Sequence, residues 1–217
     1  MKISYFVSDT PFQTNCYIIV TDNNNAVLID APEVQSSVLD ELEKQDIKIT
    51  KILLTHGHCD HIESLALLAK KYNAAVYIHE LDEPKLHDDF LNLSEYFADY
   101  YSKPVPHFAN ANTVKNGDVI EQDEVKFKVL HTPGHTKGSV CYITNDIMFS
   151  GDTLFKQSVG RTDMPDGNYA NLLRSLKMLD GISDNYTLFP GHGDSTTLYD
   201  EKRRNPYMKG FDYDDML

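Results

Sequence analysis

The chain has 217 residues, 41 % of them apolar and 24 % charged, ordinary for a soluble globular protein and enough to bury a substantial core. Its 20 basic and 33 acidic side chains leave a net charge of −13, a field that repels nucleic acid and anionic membranes and weakens any nuclease reading. Cys16, Cys59 and Cys141 are few, odd in number and far apart, which argues against a disulfide framework and fits a reducing, cytoplasmic compartment.

Residues Met1 to Ser8 read as a first strand and lack the basic end, apolar core and small-residue cleavage site of a secretory leader. No apolar run is long enough to cross a bilayer. Cys16 to Val20 is a second strand, the Asp22–Asn25 cluster a turn, and Ala26–Ile29 a third strand ending at Asp30 and Pro32. Val34, Val38, Leu39 and Leu42 mark an amphipathic helix.

The short apolar run Lys51–Leu54 reads as a buried strand, and Ile62, Leu65, Leu68 and Ala69 recur at helical spacing up to Tyr72. Between them lies His56-Gly57-His58-Cys59-Asp60-His61, with three histidines and an aspartate in six positions. Imidazole nitrogen and carboxylate oxygen are the usual protein ligands for zinc and related ions. A bend at Gly57 aims consecutive side chains inward. His56 and His58 then hold one ion, and Asp60 and His61 reach a second. The H-E-x-x-H arrangement, with both histidines on one helix face, does not occur.

Ala75–Ile78 is another strand, ending at His79. From residue 80 to 112 the regular pattern breaks: Pro84, Pro104 and Pro106 punctuate it, and Phe90, Tyr96, Phe97, Tyr100, Tyr101 and Phe108 make it aromatic. This insertion is read either as packing over the core or as a wall or lid over the metal loop. Strands resume at Val125–Leu130, Ser139–Ile143 and Ile147–Phe149. Then come a helix over Asn168–Leu179, a strand over Tyr186–Phe189 and a helix over Leu198–Arg204. No linker or internal repeat divides residues 1–217, which read as one domain. Two batches of strands interleaved with helices suggest an α/β fold of two packed sheets with helices outside.

A two-metal site needs further ligands from other strand ends. Three candidates sit beside a glycine just past a strand: His135 in Thr132-Pro133-Gly134-His135, Asp152 in Ser150-Gly151-Asp152, and His192 in Pro190-Gly191-His192. Of the nine histidines, five lie at strand ends of this kind. His79 reads as structural, His131 as a poorer ligand than His135, and His87 and His107 as solvent-facing.

At these residues the chain resembles the metallo-β-lactamase superfamily, most closely its small glyoxalase II-like (hydroxyacylglutathione hydrolase-like) branch. The matching pieces are Leu28-Ile29-Asp30, the H-G-H-C-D-H loop, the T-P-G-H-T turn, Ser150–Phe155, Gly160-Arg161-Thr162-Asp163 and Pro190–Gly193, with Asn92-Leu93-Ser94 and Asn205-Pro206 in support. The resemblance implies an αββα sandwich of two mixed sheets with metals at one edge. It implies that His56, His58 and His135 bind one metal, that Asp60, His61 and His192 bind the other, and that Asp152 bridges them. Asp30 falls where the family places an outer carboxylate that orients the loop. Arg161 stands where longer glyoxalase II enzymes have a substrate-binding lysine, so it is expected with Lys137 to hold a substrate carboxylate. Two features depart from the family. The C-terminal helical domain of those enzymes is not expected here, because only one helix follows His192. Glu63-Ser64 replaces the two glycines common after the histidine loop.

The expected activity is hydrolysis of a small-molecule thioester by a hydroxide bridging two divalent ions, zinc first, with iron or manganese also able to use these ligands. Asp60 and Asp152 are the expected catalytic carboxylates. Alternatives on the same scaffold are a persulfide dioxygenase, with one iron on His56, His135 and Asp152, and a lactonase or β-lactamase.

Overall fold

The computed structural model describes residues 1–100 and 104–209. Tyr101 of the aromatic insertion lies outside them. Sheet one contains β1 (Lys2–Val7), β2 (Asn15–Val20), β3 (Asn25–Ile29), β4 (Lys48–Leu53), β5 (Ala75–His79) and β6 (Asn112–Val114), side by side in chain order. Its first three strands are antiparallel, and β3 to β6 run parallel. Sheet two contains β7 (Val119–Gln122), β8 (Val125–His131), β9 (Val140–Thr144) and β10 (Ile147–Gly151). A small hairpin of β11 (Leu154–Phe155) and β12 (Ser158–Val159) follows, and the sheet is completed by β13 (Thr187–Pro190) and β14 (Thr196–Thr197). Its spatial order is β14-β13-β10-β9-β8-β7, with β10 and β13 parallel and its other pairs antiparallel. The helices are α1 (Ser36–Lys44), α2 (Cys59–Ile62), α3 (Leu65–Tyr72), α4 (Tyr169–Asp180) and α5 (Leu198–Arg204).

The two-residue period of the strands sorts their apolar side chains into separate layers. Tyr17, Ile19, Val27, Ile29 and Leu53 of sheet one meet Phe127, Val129, Tyr142 and Phe149 of sheet two in the middle. The alternate residues Ile18, Ala26, Leu28 and Ile52 face outward onto Leu39 and Leu42 of α1 and Leu65 and Leu68 of α3. On the far side Cys141, Met148 and Leu188 pack on Leu172 and Leu176 of α4 and Leu198 of α5. The result is a helix–sheet–sheet–helix sandwich, an α/β fold of two mixed sheets. Each fully buried aliphatic side chain contributes about 1.5–3 kcal/mol of transfer free energy.

Two local differences from the sequence reading have clear causes. The helical pattern from Ile62 to Tyr72 is broken at Glu63-Ser64. Ser64 N–H donates to Ala31 O at 2.9 Å, and Ser64 Oγ accepts from Val34 N–H at 3.0 Å, so the chain between β3 and α1 pins the break. The strands β6, β11, β12 and β14 carry two or three residues, too few for a period to show, and β7 alternates in burial but not in polarity (Val119-Ile120-Glu121-Gln122); they exist because a neighbouring strand offers them a ladder.

Strand direction places the site. β3 and β4 are parallel, so their C-terminal ends, which lead into Asp30 and His56, lie at one edge of sheet one. β8 is antiparallel to β9, and β9 to β10, so β8 and β10 point the same way as β13. The residues after β8, β10 and β13 therefore emerge together at one edge of sheet two.

Candidate metal centre

His56 and His58 leave β4 on either side of Gly57, and His135 follows β8. His56 Nε2, His58 Nδ1 and His135 Nε2 form a triangle with sides of 3.1, 2.9 and 3.2 Å. Nitrogen ligands about 2.0–2.1 Å from a tetrahedral zinc ion stand about 3.3–3.4 Å from one another. The triangle is thus close in size to one face of a coordination tetrahedron.

A second set adjoins it. Asp60 Oδ2 lies 3.5 Å from His61 Nε2 and 3.4 Å from His192 Nε2, and the two ring nitrogens are 3.3 Å apart. Asp152, just past β10, reaches both sets. Its Oδ2 is 3.5 Å from His135 Nε2 and 3.4 Å from His192 Nε2, and its Oδ1 is 3.4 Å from His61 Nε2. The structure therefore brings together all seven side chains expected as ligands.

The donor chemistry fits divalent ions. His135 Nδ1 donates to the Arg161 carbonyl at 2.7 Å, His192 Nδ1 to the Phe12 carbonyl at 3.0 Å, and His61 Nδ1 to Asp30 Oδ2 at 2.9 Å. These oxygens only accept, so each Nδ1 carries the hydrogen, and a neutral ring turns a bare Nε2 lone pair to the cluster. His56 Nδ1 lies 3.2 Å from the Thr55 hydroxyl, which itself donates to Asp30 Oδ2. Pinning the outer nitrogen in this way is the usual support for metal-bound imidazole. Asp152 Oδ1, which faces His61 Nε2, is buried with no hydrogen-bond partner; so is His58 Nε2, the outer nitrogen of a ring that turns its Nδ1 to the cluster.

Charge points the same way. Burial, and then the imidazoles of His61, His58 and His135, hold His56 well below its ordinary range. Burial followed by His135 and Lys85 does so for His58. For Asp152 and Asp60 burial opposes ionisation, yet the flanking His61 and His192 outweigh it and keep both carboxylates anionic. Burial pulls His192 down, but Asp152 and Asp60 push it up to about 10. Two buried carboxylates thus demand positive charge, which protons on imidazole supply and which divalent ions would replace with proton release.

The family model of the metallo-beta-lactamase superfamily matches residues 9–192. The chain belongs to the metallo-beta-lactamase superfamily. It is 30 % identical over 211 residues to the hydroxyacylglutathione hydrolase GloC of Haemophilus influenzae, covering 92 % of this chain and 94 % of that protein. Among solved structures, the BLEG-1 B3 metallo-beta-lactamase matches with a TM-score of 0.88 and 31 % identity, over 96 % of this chain and 100 % of that one. TTHA1623, solved in a di-iron-bound form, matches with a TM-score of 0.81 and 33 % identity, over 94 % of this chain and 100 % of that one.

In this member of the superfamily the ligands floor a cavity of about 140 Å³, walled by Phe12, Leu93, Phe97 and Met164 and edged by Arg161. The Phe12 ring meets Phe97 and Tyr100 edge-on, at 5.2 and 5.8 Å between centroids. The aromatic insertion thus supplies part of the cavity wall, through Leu93 and Phe97. The Arg161 guanidinium pairs with Asp163 through two bonds of 2.7 Å. Lys137 is exposed and is not among the residues lining the cavity.

Close approach at the floor depends on glycine. A Cβ on Gly191 would stand 2.1 Å from Asp152 Oδ1, and one on Gly160 1.9 Å from the Asp152 carbonyl. Among the remaining histidines, buried His79 stacks on His131 at 4.0 Å with ring planes 12° apart. His87 pairs with Glu83 and His107 with Asp89 away from the site. Sequence reasoning missed Thr14, whose hydroxyl donates to Asp60 Oδ2 at 2.7 Å, and the wall residues Phe12 and Met164. Thr14 lies 46 residues from Asp60 in a stretch with no ligand-like spacing, so only the fold reveals it. Among the described residues, no helix is long and apolar enough to cross a membrane.

Proposed function

We propose that the protein is a binuclear metallohydrolase that cleaves small thioesters. The observation that carries this reading is the convergence of two ligand sets on Asp152 at the floor of a small, apolar-walled cavity. The likeness to a hydroxyacylglutathione hydrolase supports the thioester as the bond attacked.

Two divalent ions held by His56, His58 and His135 and by Asp60, His61 and His192 would supply Lewis acidity toward a carbonyl oxygen and a water acidic enough to ionise near neutral pH. We assign zinc, which suits these imidazole and carboxylate ligands; the di-iron form of TTHA1623 makes iron the first alternative. The protein's own side chains do the rest. Asp60 is fixed by the Thr14 hydroxyl, and Asp152 reaches both sets with its two oxygens, so the two carboxylates supply the negative charge that holds the site together. Phe12, Leu93, Phe97 and Met164 exclude bulk water around the acyl group. Arg161, oriented by Asp163 at the cavity's edge, is placed to hold a substrate carboxylate. Lys137 stands apart, so we assign the anion contact to Arg161 alone. A thiolate leaves readily because its thiol has a pKa of about 8.5, and no strong general acid is required. The three buried free cysteines suit a reducing compartment, and we place the protein in the cytosol.

The test is metal quantification on purified protein together with a panel of thioesters, lactones, β-lactams and persulfides. Two ions per chain with turnover of thioesters is the expected result. One iron per chain with oxygen uptake on a persulfide would overturn the hydrolase reading, and turnover of lactones or β-lactams alone would overturn the substrate class.

A further inference from the structure

A buried carboxylate outside both ligand sets ties the first set together. Asp82 follows β5 at the opening of the aromatic insertion and is fully buried. Its Oδ2 accepts from Gly57 N–H at 2.9 Å and from the Thr136 hydroxyl at 2.8 Å, and its Oδ1 accepts from Gly138 N–H at 2.8 Å. Gly57 is the residue between His56 and His58, and Thr136 adjoins His135. A single side chain thus fastens the two loops that carry the three-histidine set. The glycines make this approach possible: a Cβ on Gly138 would stand 2.6 Å from Asp82 Oδ1, and one on Gly57 2.7 Å from Lys85 Cβ. Asp30 has the corresponding place beside the other set, where it accepts directly from His61 Nδ1. Asp82 instead reaches its ligand loops through two backbone N–H groups and a hydroxyl.

We propose that Asp82 is a positioning residue for the three-histidine metal set, fixing the relative placement of His56, His58 and His135 by holding Gly57, Thr136 and Gly138. The inference rests on the metal-binding reading above. Asp82→Asn tests it sharply. Both carboxylate oxygens face a backbone N–H, which can only donate. Either orientation of the amide therefore sets an NH₂ against an N–H and releases one of the two loops.

The experiment uses the His192→Ala protein as parent, so that the three-histidine set binds alone. It is freed of metal and titrated with cobalt(II), read by the visible d–d absorption and by competition with a chromophoric chelator. Adding Asp82→Asn is expected to lower cobalt affinity by about 10–100-fold, as loss of an outer partner does, and to change the absorption bands. Thr136→Val, which removes one of the three bonds, is expected to show a smaller loss of the same sign and decides the matter if Asp82→Asn does not fold. Thr21→Val is the control. It cuts the 2.6 Å bond from the Thr21 hydroxyl to Asp123, by the start of β3 and so at the opposite end of that strand from the ligand loops, and should lower the melting temperature while leaving cobalt affinity and spectrum unchanged. Unchanged affinity and spectrum in folded Asp82→Asn, or in Thr136→Val if the former is unfolded, would overturn the proposal. So would an equal affinity loss in Thr21→Val. No cobalt uptake by the parent would overturn the metal-binding reading and this inference with it.

Discussion

The Asp30→Asn substitution separates metal support from fold support. Asp30 has φ +63°, a left-handed conformation that Asn adopts as readily, so the change adds no backbone strain. The carboxylate accepts from Thr55 N–H at 2.7 Å, from the Thr55 hydroxyl at 2.8 Å and from His61 Nδ1 at 2.9 Å. In the variant the carbonyl must stay on the Thr55 N–H, which cannot accept. The NH₂ then faces the hydroxyl and His61 Nδ1, both of which can turn to accept. His61 is left with its hydrogen on Nε2, the atom 3.3 Å from His192 Nε2, and has no lone pair there for a metal. Where His61 is neutral, all three bonds survive without charge assistance, a loss of about 1 kcal/mol each. The variant also no longer buries an ion, which offsets several kcal/mol. The metal-free protein should therefore change in stability by less than about 2 kcal/mol, whereas the second metal set should weaken by about 10–100-fold. Urea unfolding of chelator-treated protein reads the first quantity, and competition with a chromophoric chelator reads the second. A folded variant that binds its second equivalent with unaltered affinity would refute the reasoning, because it would mean that the tautomer of His61 is not set by Asp30.

His192→Ala should leave one metal equivalent per chain and lower thioester hydrolysis by at least about 100-fold, since one of the two ions that activate water is lost; near-normal turnover in a folded variant would contradict the two-metal reading. Gly191→Ala should displace the Asp152 carboxylate, because its Cβ meets Oδ1 at 2.1 Å, and should reduce the metal content measured after dialysis; two tightly held equivalents would show that the floor has slack. Burial and then the stacked His131 hold His79 down at about 4, below its ordinary value. The unfolded chain therefore takes up this proton first, and stability present above pH 6.5 is lost progressively as the pH falls to about 4. His79→Gln should flatten that part of the pH dependence in chelator-treated protein, and parallel curves for the two proteins would show that His79 is not responsible.

Much of the architecture was legible because the relevant signals are local. The continuous apolar run Cys16–Val20, the alternation of Val125–Leu130 and helices with a clear apolar stripe, such as that carrying Leu172, Leu176 and Leu179, are each visible within a single element. The strands of two or three residues do not, since their existence depends on a neighbour's free ladder. The ligand residues were legible for a different reason: each stands near a glycine at the end of a strand, where the chain turns tightly and a histidine or aspartate is aimed inward rather than into solvent. Phe12, Met164, Thr14 and Asp82 have no such mark. Their roles come from what lies opposite them in space, and no spacing along the chain encodes that.

By itself, then, the order of residues determined which side chains have metal-ligand chemistry and at which strand ends they stand, because ligand type and strand period are properties of short stretches. The tertiary structure alone decided that Asp152 spans both sets, that Phe12 and the insertion share one wall, and that Asp82 joins the loops of His56 and His135. These are relations between segments far apart in the chain, and they arise only when strand direction brings the ends of two sheets to a common edge.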